Sequence, residues 1–406
     1  MTTTTSGAGR TSVALGEPPE TESQLSLLRD LRLIVVGAGH GAVDFCATVM
    51  PVFYPLLAGA LGLNYGATSA LMTAQSTSSA LGQPFFGWLA DRFGTRLIAS
   101  VSVLVAVSAL ALVGFAHSYY ALLLVVALLG LAIGAYHPQG AKAAAILGGR
   151  WRASSLSVYL TLGNVGYSLG PLIAATVLVP RGLRSTLFLM IPAVLVVALL
   201  FSNAERVDRA VKAHSATIHL EDHGPVSWLG MVALAAVIAL RAWVESGLGA
   251  FLPLLYAARA EAPTLAGETL FLMFVMEGPG TAVGGWFADR VGRKPTIIAG
   301  FLLLVPSIHL FLGLNGNSAM ALAPIIGLLI GVSATITILA AQEVMPSRMG
   351  VASGVATSLS TIMGGLGVAL QGILADRYGL DLAMWILVAV ALFAAVSSAA
   401  IPKRRT

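Results

Sequence analysis

The chain is 406 residues long, 57% hydrophobic and only 10% charged, with a mean hydropathy of +0.87. Soluble domains carry about 25% charged residues, so this chain cannot cover itself with a charged surface and reads as membrane-embedded. Its net charge of +5 is scattered through short loops between apolar runs. That pattern argues against a nucleic-acid partner and fits a positive-inside bias.

Residues 1–28 are rich in Thr, Ser, Gly, Pro and Glu, without an apolar stretch, and read as a disordered cytoplasmic tail. The first apolar run begins near Leu31 and lacks a small-residue cleavage pattern, so no cleaved signal peptide is expected. A helix crossing the ~30 Å hydrocarbon core needs about 20 residues. Runs of that size fall near 31–57, 68–89, 96–116, 120–143, 154–179, 185–203, 227–257, 267–288, 295–314, 319–343, 350–375 and 382–401. Strands are excluded by the lack of short alternating segments, because lipid tolerates only helices or closed barrels. The spacing therefore predicts an all-α membrane protein with twelve transmembrane helices. A six-helix bundle over 29–203 and another over 227–401 flank a charged cytoplasmic linker at 204–226, and 402–406 forms a basic tail. The lone cysteine, Cys46, lies within the first run and excludes an intrachain disulfide.

With the N-terminus inside, seventeen of the 23 Lys and Arg residues fall in inner segments, four in outer loops, and Lys142 and Arg241 within spans. Both termini are therefore expected in the cytoplasm. The loop after the second span reads Gly87-Trp88-Leu89-Ala90-Asp91-Arg92-Phe93-Gly94-Thr95-Arg96. It recurs after the eighth as Gly285-Trp286-Phe287-Ala288-Asp289-Arg290-Val291-Gly292-Arg293-Lys294. Two similar membrane halves imply a substrate path at their interface.

Ionisable side chains at bilayer depth cost about 2.5–3.5 kcal/mol each on insertion scales, so each needs a reason. Span 1 carries His40 and Asp44, and span 7 carries Arg241 and Glu245, both at i,i+4 and hence on one helix face. Spans 1 and 7 are related by the duplication, so the two clusters are expected to face one central cavity. Span 8 adds Glu277 before Gly278-Pro279-Gly280, and span 4 adds His137 beside Pro138. Arg241 keeps its proton and requires an anion, either a protein carboxylate or a phosphonate, phosphate or carboxylate substrate held by its fork. Asp44 and Glu277 are the expected proton carriers, with His40 and Glu245 assisting. Burial favours the neutral acid and a neighbouring Arg favours the charged one. When an anion takes Arg241, the acid loses its partner and gains a proton; release reverses this. Gln75 and Asn164 are expected along the path, Lys142 snorkelling to the interface, and His309 peripheral.

The run Leu33 to Ala42 mimics a dinucleotide fingerprint, Gly37-x-Gly39-x-x-Ala42, but lacks the acidic residue about 20 positions on and continues apolar for a full span. No nucleotide-binding loop, Cys/His metal spacing or nucleophile elbow occurs, so no cofactor, no metal and no enzymatic activity are expected.

Twelve spans in two halves with the Gly-x-x-x-Asp-Arg-x-Gly loop resemble the major facilitator superfamily. Three segments resemble the fosmidomycin resistance protein group of drug exporters: Gly39-His40-x-x-x-Asp44 with Tyr54-Pro55-Leu56-Leu57, Tyr136-His137-Pro138-Gln139-Gly140, and Leu240-Arg241-Ala242-Trp243 with Pro253-Leu254. Gln139 stands where that group usually has Glu, and Thr95 where the superfamily usually has a basic residue. The resemblance implies two pseudo-symmetric bundles and adds His137, Tyr136, Gln139 and Trp243 to the substrate-binding candidates beside Arg241. It also implies a cytoplasmic gate of Gly87, Asp91, Arg92, Gly94, Asp289, Arg290, Gly292 and Arg293. In it, Asp91 faces the start of span 11 and Asp289 the start of span 5. Gly166-Tyr167-Ser168-Leu169-Gly170-Pro171 resembles the antiporter motif and is expected to bend span 5. A third look-alike, Gly372 to Gly379, falls on the outer side and reads as a polar turn.

The expected function is proton-coupled export of small anionic or amphipathic compounds by a monomer in a bacterial inner membrane. Proton-coupled uptake of an anionic nutrient or lysolipid is the alternative, separable by the sign of the proton dependence. A non-transporting membrane sensor is the alternative of another class, and it predicts no solute flux.

Overall fold

The computed structural model describes residues 24–93, 96–148, 151–214, 228–344 and 349–401. The tail up to residue 23, linker residues 215–226, Gly94 and residues 402–406 lie outside that set.

Twelve long helices follow one another: α1 Leu31–Leu61, α2 Tyr65–Phe93, α3 Arg96–Val113, α4 Tyr119–Leu147, α5 Arg152–Ile173, α6 Met190–His214, α7 Trp228–Ala258, α8 Pro263–Val291, α9 Arg293–Gly313, α10 Ala323–Val344, α11 Met349–Tyr378 and α12 Leu380–Ser398. A five-residue helix, Gly316–Met320, precedes α10, and no strand occurs among the described residues. Up-and-down order puts the starts of α1 and α7 on the face that also receives the end of α12, called here the terminal face.

Among the described residues, ten helices are long and apolar enough to cross a membrane. Helix α2 falls short, because it interrupts its apolar face with Gln75, Ser76, Thr77, Ser78, Ser79 and Gln83. Those polar groups have a use described below. Helix α6 continues to His214, past the expected span end at 203, because Glu205, Arg206, Asp208 and Arg209 leave helical propensity intact.

Packing repeats with the duplication. In the first half α1 lies along α5 and α2 along α4; six helices later α7 lies along α11 and α8 along α10. Small residues permit this closeness in lipid. A Cβ at Gly166 of α5 would overlap the backbone of Gly41 in α1. The halves meet along two seams, α2 against α11 and α5 against α8. Beyond Pro171, α5 widens into a π-helical turn at Ala174–Leu178; the carbonyl that Pro171 leaves without an N–H, on Tyr167, accepts from the Thr48 hydroxyl of α1 at 2.8 Å.

Candidate functional site

A cavity of about 1510 Å³ lies between the halves. Helices α1, α2, α4 and α5 line it from one side and α7, α8 and α11 from the other. The polar stripe of α2 faces it through Gln75, Ser76, Ser79 and Gln83, one helical face by spacing. On α4 the lining residues His137, Ala141, Lys142 and Ala145 carry the cavity toward the terminal face. At the opposite face both seams are shut. There Gly267 of α8 packs on Pro171 and Ala175 of α5, and the Thr73 hydroxyl donates to the Gly365 carbonyl at 2.8 Å.

Three side chains from two helices converge on the first half's wall. His40 Nε2 lies 3.2 Å from Asp44 Oδ2, and His137 Nε2 lies 3.5 Å from Asp44 Oδ1. His40 is clamped. Its ring stacks on Tyr159 at 4.0 Å between centroids and 7° between planes, and Gly163 leaves the room the ring occupies. Its Nδ1 lies 3.0 Å from the Tyr159 carbonyl oxygen, an acceptor only, so Nδ1 carries a hydrogen and donates. Nε2 then faces a carboxylate. A proton placed between the two would make that contact a hydrogen bond. The ligating atoms of His40, Asp44 and His137 all lie within 4.8 Å of one another, a spacing that also admits a cation. Linear spacing gives no sign of that trio, because His137 joins it from α4.

Across the cavity Arg241 forms an ion pair through Nη1 with the Glu245 carboxylate and donates through Nη2 to the Ser360 hydroxyl at 2.9 Å. Glu245 and Ser360 line the cavity, so the guanidinium sits just behind them, its side chain 12% exposed. Arg241 Nε and Glu277 Oε1 are buried with no hydrogen-bond partner, and Glu277 reaches the cavity from α8. Tyr167 of α5 lines the space between the two clusters, packed on Phe274 of α8 at 4.7 Å.

Gln75 and Asn164 line the cavity as expected, Gln75 donating to the Ala47 carbonyl at 3.2 Å. Four candidates do not, Arg241 among them, since it stands behind Glu245 and Ser360. Tyr136 is fully buried and donates to the Val36 carbonyl at 2.6 Å. Gln139 is 2% exposed and donates to the Phe86 carbonyl at 2.8 Å. Trp243 packs beneath Gly367 of α11. The correction follows from helix rotation: about 100° per residue puts Pro138, Ala141 and Ala145 on the chamber face of α4 and Ala242, Glu245 and Gly249 on that of α7, and Tyr136, Gln139 and Trp243 off it. Lys142 lines the cavity rather than only the interface, and His309 packs edge-on against Trp385 at 5.0 Å. Tyr136→Phe is thus expected to lower the unfolding free energy by about 0.5–1.5 kcal/mol, the net worth of one hydrogen bond, since the Val36 carbonyl keeps its partner within α1. Substrate affinity should be unchanged, which paired thermal-melting and binding measurements check.

At the terminal face, Arg290 lies 3.6 Å above the Trp286 ring and Arg92 5.8 Å from the Trp88 ring. Each copy of the repeated loop thus pairs its own Trp and Arg at i,i+4, a contact the motif's carboxylates had overshadowed. Asp289 and Arg290 are exposed. Gly292 has φ +94°, a conformation that makes the α8–α9 turn possible without strain. A Cβ at Gly87 would meet Pro138 at 3.9 Å, Arg293 opens α9, and the side chain of Asp91 lies outside the described set.

The profile of the Major Facilitator Superfamily matches residues 36–367 and 234–406. The chain is 25% identical over 359 residues to the fosmidomycin resistance protein of Escherichia coli (strain K12), covering 86% of this chain and 87% of that one. It is 26% identical over 354 residues to a probable 4-methylmuconolactone transporter of Cupriavidus pinatubonensis, covering 82% and 81% respectively. Its fold matches a bacterial homologue of the human lysosomal transporter Spinster, solved inward-facing and unoccupied. The TM-score is 0.76 at 16% identity, over 92% of this chain and 98% of that one.

Proposed function

This chain belongs to the major facilitator superfamily, hence is a multi-pass membrane transporter and not an enzyme, and from that premise we propose that it exports small anionic or amphipathic compounds in exchange for protons. The proposal places both termini in the cytoplasm of a bacterial inner membrane, on the side that holds most of the Lys and Arg residues. The cavity then opens inward while the far-face seams are shut.

One observation carries the reading. The His40–Asp44 pair and the Arg241–Glu245 pair border the same cavity from opposite halves. A substrate whose hydrogen-bond donor engages Asp44 takes the acceptor the proton occupies, so one expels the other, which is the linkage an exchanger requires. The substrate's anionic end competes with Glu245 for the Arg241 fork, and Ser360 orients the fork. Inward proton movement then resets the first half after release outside. The resemblance to a fosmidomycin resistance protein supports export of a drug-like anion.

A second reading has its own observation. Displacement of Glu245 from Arg241 by an anion frees a carboxylate that shares the cavity wall with Glu277, and a carboxylate parted from its cation binds a proton more readily. Anion and proton then bind together, the linkage of uptake, as the likeness to a 4-methylmuconolactone transporter would suit. The two readings differ in sign. A thermal-shift screen of phosphonates, organic acids, lysolipids and antibiotics would first supply a ligand. Adding it to weakly buffered purified protein should release protons, and Asp44→Asn should abolish the release. Net proton uptake, abolished instead by Glu245→Gln, would overturn export in favour of uptake; no proton movement would remove the coupling altogether.

A further inference from the structure

We propose that Asp376, in the third copy of the Gly-x-x-x-Asp-Arg-x-Gly signature, is a gating residue of the transport cycle that latches the two halves together at the far face. The sequence reads as a plain turn there, but the fold gives the carboxylate a partner 310 residues away. Asp376 Oδ1 accepts from the Tyr65 N–H and Oδ2 from the Gly66 N–H, both at 2.8 Å. Those are the first two N–H groups of α2, which the helix itself leaves unpaired. Asn64 accepts the third from Ala67 at 2.8 Å. The first turn of α2 is thus capped partly by its own half and partly by the other.

The approach is built in. A Cβ at Gly66 would stand 2.7 Å from Asp376 Oδ2, and one at Gly372 would overlap the Ser69 side chain. Gly365, Gly372 and Asp376 share one face of α11 at helical spacing, and each meets α2. A carboxylate on a helix N-terminus is favoured by both the N–H groups and the helix dipole. Opening the far face must pull α2 from α11 and break both bonds, so the latch holds the state in which the cavity opens toward the terminal face. Asp289 of the second copy lies instead at the terminal face. One signature, used on opposite faces, would then hold alternate states.

The test needs neither substrate nor proton gradient, so it stands or falls apart from the coupling scheme. Spin labels at Ala60→Cys and Leu382→Cys, on the far-face ends of the two halves, are introduced into a Cys46→Ala background in nanodiscs. Pulsed electron resonance then reads the distance between them. Asp376→Asn keeps the shape but places an amide N–H against one backbone N–H. It should raise the far-face-open (long-distance) population about two- to fivefold, with Asp376→Glu restoring part of the short-distance population. Arg377→Gln, a neighbouring charge whose guanidinium lies 5.4 Å from the Tyr378 ring centroid, should leave the distribution unchanged. Identical distributions in the parent and in folded, monodisperse Asp376→Asn would overturn the proposal, as would an equal shift in Arg377→Gln. Should Asp376→Asn fail to fold, Asp376→Ala and Asp376→Glu decide by the same criterion.

Discussion

Asp44→Asn is expected to lower gradient-driven transport by about a hundredfold, the upper range of a coupling free energy between two sites. Exchange of labelled for unlabelled substrate across the membrane should persist. The asparagine amide can donate to His40 Nε2 while Nδ1 stays on the Tyr159 carbonyl, so the wall keeps its shape as if permanently protonated. A transporter locked in its proton-loaded form can shuttle but cannot harvest a gradient. Counterflow and gradient-driven uptake, measured on the same proteoliposomes, separate these steps. Full gradient-driven activity in Asp44→Asn would remove the carrier role from this residue and leave Glu277, tested as Glu277→Gln, to hold it.

Arg241→Lys is expected to weaken substrate binding about ten- to a hundredfold, because an ammonium cannot hold an anion bidentately as the fork does. The fork is already spread between Glu245 and Ser360, and a single charged point would serve one at a time. Arg241→Ala goes further: it leaves the Glu245 carboxylate on the cavity wall without its counter-ion, at a cost of at most about 3–5 kcal/mol in stability. Adding Glu245→Gln should recover part of that loss, so the double variant should be more stable than the sum of the singles implies. Titration calorimetry with the screened ligand and thermal melting read the two effects separately. Unchanged affinity in Arg241→Lys would make the guanidinium a structural counter-ion only.

The helices and their pairing into halves are legible in the sequence because hydrocarbon imposes a length and a composition on every span. The i,i+4 pairs His40–Asp44 and Arg241–Glu245 are legible too, being contacts within one helix. What is hidden depends on how helices are rotated and on backbone groups that no residue name announces. Tyr136 and Gln139 flank the His-Pro step, yet they point at the carbonyls of Val36 and Phe86, because the rotation of α4 gives the chamber face to His137, Pro138 and Ala141 instead. His40's second partner is a carbonyl of α5. Asp376 looks like any turn carboxylate until α2 is brought beside it. The polarity of α2 weakens it as a span by composition and is explained only by the cavity it borders.

The central claim is that protons and substrate share one chamber between the two halves, and coupled flux in sealed proteoliposomes tests it most directly. With a proton gradient imposed, the screened ligand should move against the proton flow. A protonophore should stop its accumulation, and Asp44→Asn should show none. Accumulation that ignores the gradient and the protonophore alike would contradict the account.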